Sequence, residues 1–131
     1  MLHQSTGTLQ YNDIAAPTSL KVLVDPQIVD YYRTLLPKYI KINPQKYAPH
    51  ISVIRNTILA PTELWGKYEG EQVQFCYEHQ IYYGGAYVWL DCYSTRLEEI
   101  MTELGLELSY ELNQPIKGFK RIFHTTIGNT K

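Results

Sequence analysis

The sequence predicts an α+β fold in which one domain, residues 1–131, is built from two similar lobes. Its length allows one sizeable hydrophobic core and is too short for two domains. The order of the predicted elements suggests the lobes: two strands and a helix precede one histidine-containing strand, and a hairpin, a strand and a helix precede a second. No repeat in the residues themselves accompanies this order.

The first half of the chain is predicted to hold three strands and one helix. The strands are rich in β-branched residues and leucine, and an aspartate followed by proline is a typical helix start. In chain order the elements are strand 5–11, strand 20–25, helix 26–37 and strand 49–56. The helix would bury an apolar face formed by Ile28, Tyr31, Tyr32 and Leu35.

The second half is predicted to hold a hairpin, further strands and a longer helix. The hairpin turn would follow His79, which would lie at the surface, and Gly84 and Gly85 would form the next bend. In chain order the elements are short helix 61–65, strands 72–79 and 81–83, strand 86–94, helix 95–106, strand 107–112 and strand 121–128.

The longer helix is predicted to be amphipathic. Ser94 or Thr95 would cap its start, and Gly105 would end it. Glu98 and Glu99 are expected to face solvent. The face turned to the core would consist of Leu97, Ile100, Met101 and Leu104.

Composition excludes several classes of protein and of site. No apolar run approaches the ~18 residues of a membrane span, and the first residues lack the build of a signal peptide, so we expect a cytoplasmic protein without membrane contact. Cys76 and Cys92 lie in apolar, strand-like runs and are expected to be buried free thiols. The four histidines are scattered without carboxylates or thiolates at ligand spacing, so neither a metal site nor a cofactor is predicted.

The charges are unevenly distributed along the chain. The net charge of −1 argues against a protein that coats long duplex nucleic acid. Residues 1–60 hold six basic and three acidic side chains, residues 61–113 hold two and ten, and residues 114–131 hold four and none. A small anionic ligand between the two basic segments would fit this pattern, although chance clustering on solvated surfaces would fit it too.

Each basic segment contains a histidine followed two residues later by a hydroxyl residue. The pairs are His50 with Ser52 and His124 with Thr126, each in a strand-like run with apolar residues at the alternate positions. Residues i and i+2 of a strand face the same side, so each pair presents an imidazole and a hydroxyl together. Two such pairs facing one another could move protons to and from a phosphodiester and hold its oxygens. The alternative is that both histidines are structural residues at a sheet surface.

Further candidates for ligand binding are aromatic and basic. Tyr87 and Trp89 share one face of their predicted strand, where an aromatic ring could stack on a nucleobase. Tyr11 is a weaker aromatic candidate, and Arg55 and Lys120 are candidate phosphate neighbours. The alternatives are that the aromatic residues cover a half-exposed sheet and that the basic ones are solvated surface charges.

The segments "PHISVIR", from Pro49, and "FHTTIGN", from Phe123, resemble the two motifs of the 2H phosphoesterases, also called LigT-like proteins. Each motif is a histidine, any residue, then serine or threonine, with apolar neighbours. The resemblance implies a bilobal 2H phosphoesterase-like fold, in which antiparallel sheets line a central groove and helices lie outside. It also implies metal-independent cleavage of RNA-type phosphodiesters. Thr125 departs from the pattern, because it is polar where many members are apolar.

Carried over by position, the resemblance implies that His50 and His124 are the acid and base and that Ser52 and Thr126 bind the phosphate. Which histidine is the acid is left open, because that depends on how the substrate lies. A 2H protein this short, without a fused ligase or kinase, resembles the phage anti-CBASS nucleases. That resemblance implies a small cyclic oligonucleotide signal as substrate, in the host cytoplasm if the chain is phage-encoded.

Three other functions stay open. One is an RNA 2′,3′-cyclic phosphodiesterase or 2′–5′ RNA ligase-like enzyme acting on short RNA ends, which would favour a longer basic track than the C-terminal residues supply. A second is a non-catalytic sponge that binds a nucleotide and releases it intact. The third is a structural adaptor, in which the histidines could be substituted without consequence for any ligand.

Overall fold

Six strands account for most of the regular structure. The computed structural model describes residues 2–12, 17–55, 63–106 and 118–131. Within those residues the elements are, in chain order, β1 (Leu2–Tyr11), β2 (Leu20–Leu23), α1 (Pro26–Thr34), β3 (His50–Ile54), β4 (Gln72–Gly84), β5 (Tyr87–Tyr93), α2 (Thr95–Glu103) and β6 (Phe123–Asn129).

The strands close into one barrel in the order β1-β2-β3-β6-β5-β4, and every neighbouring pair is antiparallel. The predicted α+β fold with two lobes is therefore wrong, and so is the bilobal architecture that the family resemblance implies. Alternating apolar residues identified most of the strands, but they carry no information about which strands pair. The two histidine strands, β3 and β6, are direct neighbours in the barrel instead of belonging to separate lobes.

Side chains fill the inside of the barrel. Alternate residues of the strands point inward, and a barrel this narrow has room for packed side chains and little else. The completely or almost completely buried strand residues include Leu9, Leu20, Val22, Ile51, Val73, Val88, Leu90 and Ile127. Burying both sheet halves against each other removes the need for a helical layer over each, which explains the low helix content of the described residues.

Helix α1 begins as predicted. The carboxylate of Asp25 accepts a hydrogen bond from the backbone N–H of Gln27 at 2.9 Å, and Pro26 occupies the first turn. The predicted apolar face is only partly correct: Tyr32 is buried, whereas Tyr31 is 58% exposed and Leu35 is 54% exposed. The helix ends at Thr34, before Leu35, and its contact with β6 sets which face is covered.

Helix α2 also begins as predicted, because the hydroxyl of Ser94 accepts a hydrogen bond from the backbone N–H of Leu97 at 3.2 Å. Three of its four predicted inward residues are buried and Leu104 is only half-buried, whereas the prediction that Glu98 faces solvent is wrong. Glu98 is 8% exposed, and its carboxylate accepts hydrogen bonds from the backbone N–H groups of Lys120 and Arg121 at 2.9 and 3.4 Å. The buried glutamate therefore ties α2 to the segment that leads into β6.

Strand β4 runs through the predicted hairpin turn. His79 lies within this strand, and the pairing with β5 shifts register between Tyr77 and Ile81. This irregularity lets a long strand bend without ending, so polar residues that look like a turn can belong to a strand. The true turn is at Gly85, which has a φ of +56°. Residues 63–70 form turns, and the rest of the predicted helix 61–65 and the predicted strand 107–112 lie outside the described residues.

The two cysteines differ in burial. Cys92 is fully buried, and desolvation raises the pKa of its thiol, whereas Cys76 is only half-buried. The prediction of a buried free thiol is therefore confirmed for Cys92 and only partly for Cys76. Neither described helix has the length and apolar character that crossing a bilayer would require.

Candidate functional site

The pairing of β3 with β6 brings the two histidine motifs together. Ile51 lies opposite Thr125 in the ladder, and both side chains are buried inside the barrel. Extending this antiparallel register by one residue in each direction places His50 opposite Thr126 and Ser52 opposite His124. Because neighbours along a strand alternate in direction, these side chains lie on the outer surface of the barrel. We call the four residues His50, Ser52, His124 and Thr126 the two-histidine patch.

In a regular antiparallel pair, this register would give the two-histidine patch a spacing that suits a tetrahedral anion. Directly opposite residues have Cβ atoms about 4.5–5.5 Å apart, and diagonal neighbours are about 7–8 Å apart. The two histidines occupy one diagonal of the patch, and the two hydroxyl residues occupy the other. An anion centred on the patch would therefore have an imidazole on each of two sides and a hydroxyl on each of the others.

A buried carboxylate holds the ring of His124. Asp91, on the neighbouring strand β5, lies opposite His124, and its Oδ1 is 3.1 Å from Nδ1 of the imidazole. The same Oδ1 accepts a hydrogen bond from the indole N–H of Trp89 at 3.2 Å. The side chain of Asp91 is only 12% exposed, whereas that of His124 is 48% exposed. The carboxylate thus fixes the orientation of a ring that faces the solvent.

The ring of His50 is held by a neutral group. Its Nδ1 lies 2.8 Å from the backbone carbonyl oxygen of Ala48. A carbonyl only accepts hydrogen bonds, so Nδ1 donates here and carries a hydrogen. The Nδ1 atoms of both histidines therefore have acceptors, and Nε2 is the ring nitrogen available for proton transfer in each case.

The two-histidine patch lies in a groove with a volume of about 1100 Å³. All four patch residues line it, together with Trp89 and Tyr87. Among the described residues that line it, six are cations and one, Asp30, is a carboxylate. The cations are Lys21, Arg33, Lys46, Arg55, Arg121 and Lys131. All six come from the two basic segments of the sequence, so the fold brings charges from both segments to one place.

Aromatic residues line the groove on the β5 side. Trp89 lies opposite Thr126, and its ring stacks on Tyr82 with 6.1 Å between centroids and 20° between planes. The edge of the Trp89 ring also meets His124, at 5.7 Å between centroids. Gly84 lies beneath this indole, where a Cβ atom would come within 2.6 Å of the ring. Trp89 is thus held between a tyrosine, a histidine and a glycine at the edge of the two-histidine patch.

Tyr87 lies two residues before Trp89 on β5, and the cationic side chains of Lys131 and Arg55 lie beside it. The Lys131 ammonium group sits over its ring, 4.5 Å from the centroid, and also hydrogen-bonds its phenol oxygen. This hydrogen bond, with a smaller contribution from Arg55, lowers the pKa of Tyr87 below its ordinary value. The groove therefore has a second positively charged region beyond Trp89.

Two of the predicted binding residues lie elsewhere. Tyr11 is a core residue, 8% exposed, whose ring packs edge-on against Trp65 with 5.0 Å between centroids. Its burial raises the pKa of its phenol to about 12. Lys120 is exposed outside the groove lining, and its backbone N–H is bonded to Glu98. Arg55, by contrast, lines the groove together with the patch residues.

The sequence did not predict several groove residues, among them Lys21 and Arg33, or the contact of Asp91 with His124. Asp91 alternates with Trp89 along one strand, but its pairing with His124 depends on the register between β5 and β6, which the sequence does not reveal. Lys21 lies opposite Ser52 because of the register between β2 and β3, which the sequence does not reveal either. Arg33 reaches the groove from α1, where its guanidinium donates to the backbone carbonyls of Ile127 and Ile42 at 3.0 and 3.2 Å.

Comparisons of this chain with protein-family models, with curated proteins and with solved structures give no match. The geometry of the groove therefore has to carry the functional proposal by itself.

Proposed function

We propose that this protein is a phosphodiesterase that cleaves nucleotide phosphodiester bonds in the cationic groove. His50 and His124 transfer protons through their Nε2 atoms, and the hydroxyls of Ser52 and Thr126 bind the non-bridging oxygens of the phosphate. One observation carries the proposal: two imidazoles, each held through Nδ1, occupy one diagonal of a four-residue patch whose other diagonal holds two hydroxyls.

The chemistry of phosphodiester cleavage needs the groups that this patch provides. The attacking oxygen must lose a proton, and the leaving oxygen must gain one, so a base and an acid are needed on different sides of the phosphorus. Negative charge grows on the non-bridging oxygens in the transition state, where preorganised donors stabilise it. The hydroxyls are such donors, and the six groove cations favour binding of an anionic substrate over a neutral one.

The substrate we propose is a small cyclic oligonucleotide signal. We propose the cytoplasm as the compartment of the reaction. The groove volume of about 1100 Å³ is close to that of sites that bind small ligands. Trp89 offers a held aromatic surface beside Thr126 for a nucleobase. The resemblance to the 2H phosphoesterases is limited to the two motifs, because the fold differs from the one that it implies. The support for this substrate is therefore the size of the groove, its charge and its aromatic residues.

A panel of candidate substrates tests the proposal. The purified protein is incubated in EDTA with 3′,5′- and 2′,5′-linked cyclic di- and trinucleotides and, separately, with RNA that ends in a 2′,3′-cyclic phosphate. Products are separated by chromatography. We expect breakdown of at least one cyclic oligonucleotide, lost in His124→Ala and kept in His79→Ala, which removes an exposed histidine of β4 outside the groove.

Each other outcome of the panel would support a different function or overturn the proposal. Reaction of the RNA ends alone would replace signal cleavage with RNA end processing at the same site. Recovery of an intact nucleotide bound to the protein, without any product, would replace catalysis with a sponge function. No binding and no cleavage of any compound would overturn the proposal.

A further inference from the structure

The two histidines of the patch differ in the charge of the group that holds them. His124 faces the carboxylate of Asp91 at 3.1 Å, and His50 faces the uncharged carbonyl of Ala48 at 2.8 Å. A hydrogen bond from an imidazolium to a carboxylate is charge-assisted and stronger than one to a neutral carbonyl. Asp91 is also buried, where the attraction between opposite charges is less screened by water. A positive charge is therefore better stabilised on His124 than on His50.

The charges around His50 and His124 disfavour a state in which both imidazoles are protonated. Asp91 is the only carboxylate that a described contact places within hydrogen-bonding distance of either imidazole. The other charged groups lining the groove are Asp30 on α1 and the six cations Lys21, Arg33, Lys46, Arg55, Arg121 and Lys131. Because cations outnumber carboxylates, two imidazoliums side by side would add to an existing excess of positive charge. The carboxylate beside His124 therefore suits this histidine, rather than His50, to the role of proton donor.

We infer that His124 is the general acid and His50 the general base, and that Asp91 is a positioning residue that sets this division of roles. The inference rests on the proposed phosphodiesterase function and adds to it a fixed direction for the substrate. The attacking oxygen must lie next to Nε2 of His50, and the leaving oxygen next to Nε2 of His124.

For a ribonucleotide substrate, the first step balances as follows. The 2′-oxygen forms a bond to phosphorus and its proton passes to Nε2 of His50. The bond between phosphorus and the 5′-oxygen breaks, its electron pair stays on that oxygen, and the oxygen takes the proton from Nε2 of His124. The products are a 2′,3′-cyclic phosphate and a free 5′-hydroxyl. The pair holds one proton before and after, now on His50, and exchange with water resets it.

Replacing the leaving oxygen by sulfur tests the assignment. The probes are the nucleotide that the wild type cleaves in the panel and its analogue with sulfur at the bridging 5′ position, since a thiolate leaves without being protonated. We expect His124→Ala to lose about 10²- to 10⁴-fold on the oxygen substrate and to regain most of that loss on the sulfur analogue. His50→Ala should lose activity on both probes alike, because attack still needs a base.

Asp91 is tested with the same two probes. Asp91→Asn keeps the shape and removes the charge, so its rate should fall on the oxygen substrate and recover on the sulfur analogue. Asp91→Glu restores a carboxylate and should recover part of the oxygen rate. Damage to the fold would lower both rates equally, so the ratio of the two rates separates positioning from stability.

Three results would overturn the inference. Rescue of His50→Ala instead of His124→Ala by sulfur would reverse the roles, and rescue of neither would remove the distinction between them. An unchanged ratio in Asp91→Asn would remove Asp91 from the assignment. Each of these results requires a cleaving wild type, so each is distinguishable from failure of the proposed function, in which the wild type cleaves nothing.

Discussion

The buried hydroxyl of Thr125 donates a hydrogen bond to the backbone carbonyl of His50, 2.9 Å away. This bond joins the two histidine strands at the point where Ile51 and Thr125 are paired. It also accounts for a polar residue inside the barrel. The spacing of the two-histidine patch therefore depends on a residue that does not itself belong to the patch.

Removing that hydroxyl should cost stability. Thr125→Val keeps the shape of the side chain but leaves the His50 carbonyl without this donor, so we expect a loss of about 1–3 kcal/mol in the free energy of unfolding. Denaturant unfolding followed by circular dichroism measures the loss. An unchanged unfolding midpoint would show that the bond between Thr125 and His50 contributes nothing to the pairing of β3 with β6.

The neighbouring residue provides a matched comparison. Thr126→Val makes the same chemical change one position along β6, but on the outer face, in the groove. We expect its unfolding free energy to change little, while its catalytic rate falls roughly 10- to 1000-fold through loss of one phosphate donor. Ser52→Ala should behave in the same way. Steady-state kinetics beside unfolding curves measure both effects, and a stability loss without a rate loss in Thr126→Val would remove that hydroxyl from the site.

Trp89 depends on the absence of a side chain at Gly84. A Cβ atom there would lie 2.6 Å from the indole, so Gly84→Ala must push the ring from its place beside His124 and Asp91. We expect weaker nucleotide binding, measured by calorimetry, with little change on His79→Ala in the same strand. Unaltered affinity in Gly84→Ala would contradict a role for Trp89 in stacking.

The close approach of β1 to β2 leaves no room for a side chain at Gly7. A Cβ atom on this residue of β1 would come within 2.5 Å of the backbone oxygen of Leu23 on β2. Gly7→Ala should therefore destabilise the protein by about 1–3 kcal/mol, as overpacking does. Gln10→Ala, an exposed change on the same strand, is the control. Equal thermal unfolding of both variants would contradict the close approach of β1 to β2.

Alkaline pH should weaken the fold through two buried phenols. Desolvation raises the pKa of Tyr11 and of Tyr93 to about 12 from the ordinary 10. Since the folded pKa is the higher one, their contribution to stability is full below pH 10 and is lost as pH rises toward 12. The urea midpoint should fall across that window, less steeply in Tyr11→Phe than in the control Tyr39→Phe, whose ring is 88% exposed. Identical slopes would contradict the burial of Tyr11.

The sequence predicted what depends on local pattern. The helix caps at Asp25 and Ser94 follow from residue type at a helix start, and both are confirmed. The shared face of His50 and Ser52 follows from the two-residue period of a strand, and both line the groove. Most of the strand positions were found in the same way.

What the sequence did not predict depends on pairing between distant strands. The register of β5 against β6 places Asp91 beside His124, and the direct pairing of β3 with β6 replaces two lobes by one barrel. Glu98 is buried because its carboxylate meets backbone donors across the fold, and the same residue on an isolated helix would face water. Tyr11 belongs to the core because its side chain points into the barrel from β1, although an aromatic side chain would suit a ligand site equally well.

We propose that His50 and His124 both transfer protons to and from a phosphodiester. The most direct measurement is the cleavage rate, in EDTA, of the panel substrate by wild type, His50→Ala, His124→Ala and the control His79→Ala. We predict that each patch variant loses about 10²- to 10⁴-fold while the control keeps the wild-type rate. Full activity in either patch variant, or loss of wild-type activity in the chelator, would contradict the claim.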